Sequence, residues 1–277
     1  MTTPQTLEDL ARRAIEGDQD ALDLVARQLQ GDIYGLALRM LWNKEDAEDA
    51  TQEILVRVVT RLSQFDFRSR LKTWAYRVAV NHILDVKKSA IERLHLNFEQ
   101  FADNLAGGLE PVSAGDAEQS LLIDDVKVGC SLAMLQCLDR PHRLTYVLGE
   151  IMELSGPESA DVLEITPALF RKRLQHARDA VQTFIKSHCG LVSDAAPCRC
   201  NRRVSRDAIA GVADVHPLQF GRRTTSFTEA RAMVRRVEEA RWAMEVHRSS
   251  QPQASSIDFA QRLLRTIDPP RDAGPRS

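Results

Sequence analysis

Apolar residues step along much of this chain by threes and fours. Leu22, Val25, Leu29, Ile33, Leu36 and Met40 form one such stripe, the pattern of a long helix with one inward face. A turn at Asn43–Lys44 ends it. The next helix opens on Glu45, Asp46, Glu48 and Asp49 and runs through Ile54, Leu55, Val58, Val59 and Leu62. Acids at its start, and Arg57 and Arg61 near its end, suit the helix dipole. Glu53 and Arg57 make an i,i+4 pair in the favourable order. After a loop over Ser63–Arg70, a third helix begins near Leu71. Its pattern predicts Leu71, Trp74, Ala75, Val78 and Ala79 inward, and Thr73, Arg77, Asn81 and Asp85 on the opposite face.

The helical period returns over 128–188. Arg143–Glu153 reads as one helix. Ser155 with Glu158 is a capping box, and Pro157 sits in the first turn, where proline is tolerated. Glu164 and Ile165 make a turn, Thr166 is a second N-cap, and Pro167 opens a final helix with Leu169, Phe170, Leu174, Ala177, Val181 and Phe184 inward. That helix carries Arg171, Lys172, Arg173, Gln175, His176, Arg178 and Lys186 against the one acid Asp179. Two short capped helices, a tight turn and a basic second helix predict a helix-turn-helix, with Ala160 allowing a close crossing; a plain helical hairpin is the alternative. Further on, Thr228–His247 and Ser256–Ile267 read as amphipathic helices that must bury their apolar faces. The expected fold is all-α. It has a helical domain over 7–95, an acidic linker over 96–127, a helix-turn-helix domain over 128–188, and a helical C-terminal extension over 189–277.

Composition agrees and narrows the classes. The chain has 277 residues, 43% of them apolar, which suits a globular protein of about two domains. Few aromatics and only 13 glycines argue against a β-sandwich or a glycine-loop enzyme. No apolar run reaches the roughly 20 residues of a spanning helix, and a soluble cytoplasmic protein is expected. The five cysteines are odd in number and thinly spread, unlike a secreted disulfide framework. The net charge of −2 conceals segregation. Phe98 to Asp125 holds seven acids and no Lys or Arg, a flexible anionic linker by composition. Residues 189–277 hold many Arg and not one Lys.

Candidate chemistry follows from that segregation. On the third helix, Arg77 and Lys72, Lys87 and Lys88 lie among Trp74, Tyr76 and Asn81. Cations meet phosphate, aromatic faces stack on unpaired bases, and Asn offers both a donor and an acceptor to a base edge. The competing reading is a solvated helix face with Trp74 in the core. At the start of the extension, His188, Cys189, Cys198 and Cys200 could complete a tetrahedral zinc site or a thiol switch. Cys-x-Cys is not the usual finger spacing, so ordinary thiols beside a loop are the favoured reading. No Ser/His/Asp set, phosphate loop or carboxylate pair suggests an enzyme.

The order of these units resembles a bacterial RNA polymerase sigma factor of the extracytoplasmic-function group. Asp46-Ala47-Glu48-Asp49-Ala50-Thr51-Gln52-Glu53 resembles that family's DAEDxxQE segment. Phe65 to Leu71, Thr73-Trp74, Tyr76-Arg77 and Asn81 resemble its F-R-G-x-S-x-F-x-T-W-L-Y-R-I-A-x-N run with unchanged spacing. In the second unit Leu138, Arg143, Leu148, Glu150, Leu154-Ser155, Glu158, Ala160, Arg171, Arg173, Leu174 and Ala177-Arg178 fall where the family's minus-thirty-five reader has them. The resemblance covers about residues 10–188.

It implies that the helix from Asp46 docks on core RNA polymerase through Asp49, Gln52, Glu53 and Arg57. It implies that the loop and helix carrying Phe65, Arg68, Arg70, Lys72, Trp74, Tyr76, Arg77, Asn81 and Lys88 open the minus-ten element of promoter DNA. The helix from Pro167, with Thr166 at its start, would enter the major groove at the minus-thirty-five element. There Arg171, Lys172, Gln175 and His176 are the candidates for base edges, and Arg173 and Arg178 for phosphate or structural pairs. The linker would occupy the RNA exit path. An anti-sigma factor is a further candidate partner; no membrane insertion, catalytic activity or cofactor is implied, and zinc at the Cys cluster is the one metal the sequence admits. A stand-alone helix-turn-helix regulator, or a metal or redox sensor acting through the Cys cluster, are the alternatives. The sequence departs from the family at Phe67-Arg68, where Gly-Asp is usual, at Lys72, where an aromatic is common, at Asp139 for Pro, at Ser159 for an apolar residue, and at Pro167. The extension is expected to pack on one of the two units, or between them, and to tune access to polymerase or DNA.

Overall fold

The structure, a computed structural model of the chain, describes residues 5–86, 95–107, 116–196, 198–200, 255 and 257–267. The predicted helix Thr228–His247 lies outside them, as does Lys88. The described elements are helical throughout: α1 (Leu7–Ile15), α2 (Gln19–Leu41), α3 (Lys44–Thr60), a short 3₁₀ turn (Leu62–Gln64), α4 (Leu71–Asp85), α5 (Phe98–Gly107), α6 (Asp116–Gln136), α7 (Arg140–Tyr146), α8 (Gly156–Val162), α9 (Pro167–His188) and α10 (Phe259–Ile267). Two compact units result. The first holds α1, α2 as far as Leu38, α3 from Glu45, α4 and α10; the second holds Arg39–Lys44 and α5 to α9.

In the first unit the stripe Leu22, Val25, Leu29, Ile33 and Leu36 is buried, with Ala47, Ala50, Ile54, Leu55 and Val58 of α3. α1 positions α4. Arg70, the N-cap of α4, makes no side-chain cap bond. Glu8 of α1 substitutes, its Oε1 accepting from the Leu71 N–H at 2.9 Å, so one of the orphan donors of the first turn is satisfied by a carboxylate at the favourable dipole end.

In the second unit the caps read from sequence are present. Ser155 and Glu158 form a reciprocal capping box, and Thr166 accepts from the Leu169 N–H. Pro167 takes the first turn of α9, where it costs no hydrogen bond. Asp139, where the family has proline, is an N-cap, accepting from the His142 N–H at 2.9 Å. The predicted helix Arg143–Glu153 is instead α7 continued by a π turn over Val147–Ile151. α9 closes on that turn. A Cβ on Gly149 would sit 3.1 Å from Phe170 Cζ and 3.2 Å from Leu174 Cδ2, so glycine permits the approach. Ala160 meets Phe170 and Leu174 in the same cluster. Leu169, expected inward, is 38% exposed, because Phe170 takes the inward place.

The stretch expected to be a flexible linker contains α5 and the first half of α6. Phe98, Phe101 and Leu105 explain α5. At this spacing they form an apolar stripe that packs on α9, with Phe98 and Phe101 ring centroids 5.2 and 5.3 Å from Phe184. Phe101 and Leu105 are buried. Composition registered the acids and glycines; three well-spaced apolar residues outweighed them.

Candidate nucleic-acid interface

The loop before α4 is organised around aromatic rings. Phe65 is buried and packs on Phe67 (4.6 Å) and Trp74 (5.6 Å). Phe67 has φ +59°, the left-handed region that favours glycine. What holds it there is contact, since the Arg12 guanidinium of α1 lies 4.6 Å over its ring. Arg68 projects outward with its side chain 88% exposed, beside Asp66 at 3.3 Å. Arg70 is exposed at the loop's end.

α4 turns differently from the predicted face. Tyr76, expected to stack on a base, is 1% exposed, and Thr73, expected on the outer face, is 6% exposed. The reason is Asp32 on α2. The Tyr76 hydroxyl donates to its carboxylate, and Lys72 Nζ lies 2.6 Å from it. Burial, then Asp32, raises the Tyr76 pKa, so the ring is a neutral donor in the core. Phe65 is likewise enclosed. The stacking surface is thereby reduced to Trp74, which is half-buried, with Arg77 half-buried and Asn81 and Lys72 exposed around it.

On α3, Asp49 and Glu53 are exposed while Gln52 and Arg57 are half-buried. Glu53 Oε2 lies 4.0 Å from Arg57 and 3.7 Å from Nε2 of His82 on α4. The His82 side chain is only 6% exposed. Burial, then the neighbouring Arg57 charge, lowers its pKa.

On α9, Arg171, Lys172, Gln175 and His176 are exposed on one side, opposite the buried Phe170, Leu174, Ala177 and Val181. Gln175 donates to Asp179 at 2.8 Å, and the His176 ring packs tilted against His142, with ring centroids 4.8 Å apart. Arg173 is half-buried and Thr166 exposed at the helix start. Arg178 is turned back to Glu150, which is 1% exposed on the π turn. The sequence pattern alone did not reveal Asp32 or His82 as residues shaping these surfaces. Each acts through a partner on another helix, so no local spacing signals it.

The cysteine cluster assembles differently from a metal centre. Cys189 and Cys198 face each other across an isolated bridge, and Cys200 is buried with Val126 and Leu191, with Cys189 against them. Burial pushes the Cys189 thiol up to about 11 and raises Cys200 as well. The His188 ring stacks on Phe184 and its Nδ1 lies 3.0 Å from the Phe184 carbonyl. Among the described residues no group of three or more His, Cys, Asp or Glu is arranged to hold a metal ion. His188, Cys189, Cys198 and Cys200 do not form the tetrahedral set considered from sequence.

Residues 25–90, which include most of α2 and all of α3 and α4, match the Sigma-70 region 2 family. The ECF RNA polymerase sigma factor SigW of Bacillus subtilis is 31% identical over 179 residues, covering 62% of this chain and 92% of SigW. The chain belongs to the ECF RNA polymerase sigma factors. SigE of Mycolicibacterium smegmatis is 27% identical to this sigma factor over 65% of its chain and 68% of the relative. The Escherichia coli sigma-E factor is 25% identical over 67% and 97%. A solved structure, CnrH in complex with the cytosolic domain of CnrY, aligns with a TM-score of 0.46 at 21% identity, over 64% of this chain and 94% of that one. Among the described residues of this sigma factor, no helix is long and apolar enough to cross a membrane.

Proposed function

We propose that this sigma factor is a non-catalytic promoter-specificity subunit that acts in the cytoplasm. It docks core RNA polymerase through α3, with Asp49, Gln52, Glu53 and Arg57 on the contact face. It opens the minus-ten element with the 65–71 loop and α4, and reads the minus-thirty-five element with α9. The observation that carries the reading is the exposed row Arg171, Lys172, Gln175 and His176 on a capped helix whose other side is buried. Such a row can reach base edges in a major groove while the helix stays anchored. On α4 the accessible set is Trp74, Lys72, Arg77 and Asn81, joined from the loop by Arg68 and Arg70. A flipped base can stack on the one indole while the cations hold phosphate. Arg173 is assigned to phosphate, and Arg178, paired with Glu150, to the fold.

The test is transcription in vitro with core polymerase, with and without the purified chain, over a promoter library. The expected result is a set of transcripts that appear only with the chain and share two elements about one recognition distance apart. Arg171→Ala and Gln175→Ala should alter the upstream element and leave the downstream one unchanged. Transcripts that do not depend on the chain would overturn the reading.

A further inference from the structure

The last described element returns to the first unit. α10 is separated by more than 170 residues from α4, yet it packs within the unit built by α1 to α4. Asp258 caps it, Oδ1 accepting from the Gln261 N–H at 3.0 Å. The same carboxylate takes Arg27 Nη1 of α2 at 3.0 Å. Phe259 and Leu263 are buried, and the Phe259 ring centroid lies 6.1 Å from that of Tyr34 on α2. Just before the helix, Ser255 Oγ donates to Glu48 Oε1 of α3 at 2.6 Å. The lead-in and α10 therefore engage both α2 and the first turns of α3.

The position of Glu48 gives this contact meaning. It stands four positions before Gln52, so the two lie one turn apart on the same side of α3, with Asp49 adjacent. Those are residues of the face assigned above to core polymerase. Ser255 takes one carboxylate of the acidic first turns, and α10 shields the Tyr34 ring beside it. Burial and the Glu48 charge push the Tyr34 hydroxyl up to about 12. A partner seated on Asp49, Gln52 and Glu53 would meet the tail at Glu48.

We propose that the segment from Ser255 through α10 is a built-in competitor of core polymerase for the α2–α3 face, and that docking requires its release. The inference rests on the docking role proposed for α3. It makes the tail a gate on holoenzyme formation that binds the sigma factor's own surface in place of the polymerase.

The contact can be weakened without removing the tail. Asp258→Arg breaks the pair with Arg27 and introduces a like charge, and Arg27→Asp in the same chain restores the pair in reverse. Core affinity would be measured for the full chain, Asp258→Arg, the double exchange and a chain ending at 254. Thermal unfolding would confirm that each is folded. Hydrogen exchange of 259–267 would be followed in the free and core-bound full chain. The expected result is at least tenfold tighter binding for Asp258→Arg and the shortened chain, a return towards the full-chain value for the double exchange, and loss of α10 protection in the complex. Equal affinities with α10 still protected in the complex would overturn the competitor and leave the docking role intact. Weaker binding by the shortened chain would make α10 part of the docking surface, which also overturns it. Should no variant bind core polymerase, the docking role itself fails and the inference with it.

Discussion

Arg178 of α9 donates to Glu150, whose side chain is 1% exposed on the π turn that α9 packs against. The pair ties α9 to the element beneath it. Glu150 is enclosed while the Arg178 side chain is 38% exposed, so removing the arginine takes one charged partner from a buried carboxylate and costs on the order of 1–3 kcal/mol. Arg178→Ala should therefore lower the thermal midpoint of the second unit sharply. Glu150→Leu with Arg178→Met should recover most of that loss. Paired melts of the single and double variants check it, and equal losses in both would show that the carboxylate does not depend on Arg178.

Phe67 offers an unusual comparison between alanine and glycine. Its φ of +59° costs an L-residue roughly 1–2 kcal/mol, which Phe67→Gly relieves and Phe67→Ala does not. Both variants lose the Phe65 and Arg12 contacts. Phe67→Ala should thus be less stable than Phe67→Gly by about 1 kcal/mol, the reverse of the usual order. Urea titration of the two decides it.

Glu164 closes α8 with a Schellman geometry. It has φ +53°; its N–H donates to the Asp161 carbonyl at 3.2 Å, and the Ile165 N–H donates to the Ala160 carbonyl at 3.0 Å. Glycine is the residue this C′ position favours. With an exposed side chain there is little contact to lose, so Glu164→Gly should stabilise the second unit by about 0.5–1 kcal/mol. A rise of a few degrees in the thermal midpoint, with DNA binding retained, is expected; a fall would mean that Glu164 contributes through its charge.

His82 gives the first unit a pH dependence. Its pKa is lowered by burial and by Arg57, so the unfolded chain takes up a proton at higher pH than the folded one. The associated stability is present above the unfolded value of about 6.5 and is lost as pH falls below it. Melting of the first unit between about pH 7.5 and 5 should show the decline, and His82→Leu should flatten it. An unchanged slope in that variant would assign the dependence to other groups.

The sequence carried those parts of this fold that local signals set. The Ser155–Glu158 box, the Thr166 cap, Pro167 and the stripe on α2 each act within a turn or two, and each stands where its spacing placed it. What escaped was non-local. Tyr76 and Trp74 are two residues apart in one aromatic-rich helix, and periodicity could not say which ring would be enclosed. Asp32, 44 positions before Tyr76, decides it by accepting from the hydroxyl. Arg143 is a second case. Its spacing matched a family position, but its work is to donate to the carbonyls of Leu135, Gln136 and Leu138 at the end of α6. α5 escaped because its three apolar residues gain their meaning only against Phe184.

The docking of α10 also has a consequence in time. α4 leaves the ribosome well ahead of α10, and at about 5–20 residues per second the intervening chain takes roughly 10–35 s to make. Throughout that interval the first unit must stand without the helix that shields Tyr34. A nascent chain thus presents its α2–α3 surface without α10, and only synthesis past Ile267 supplies that cover. The age of the molecule, as well as its abundance, then sets which surface it shows.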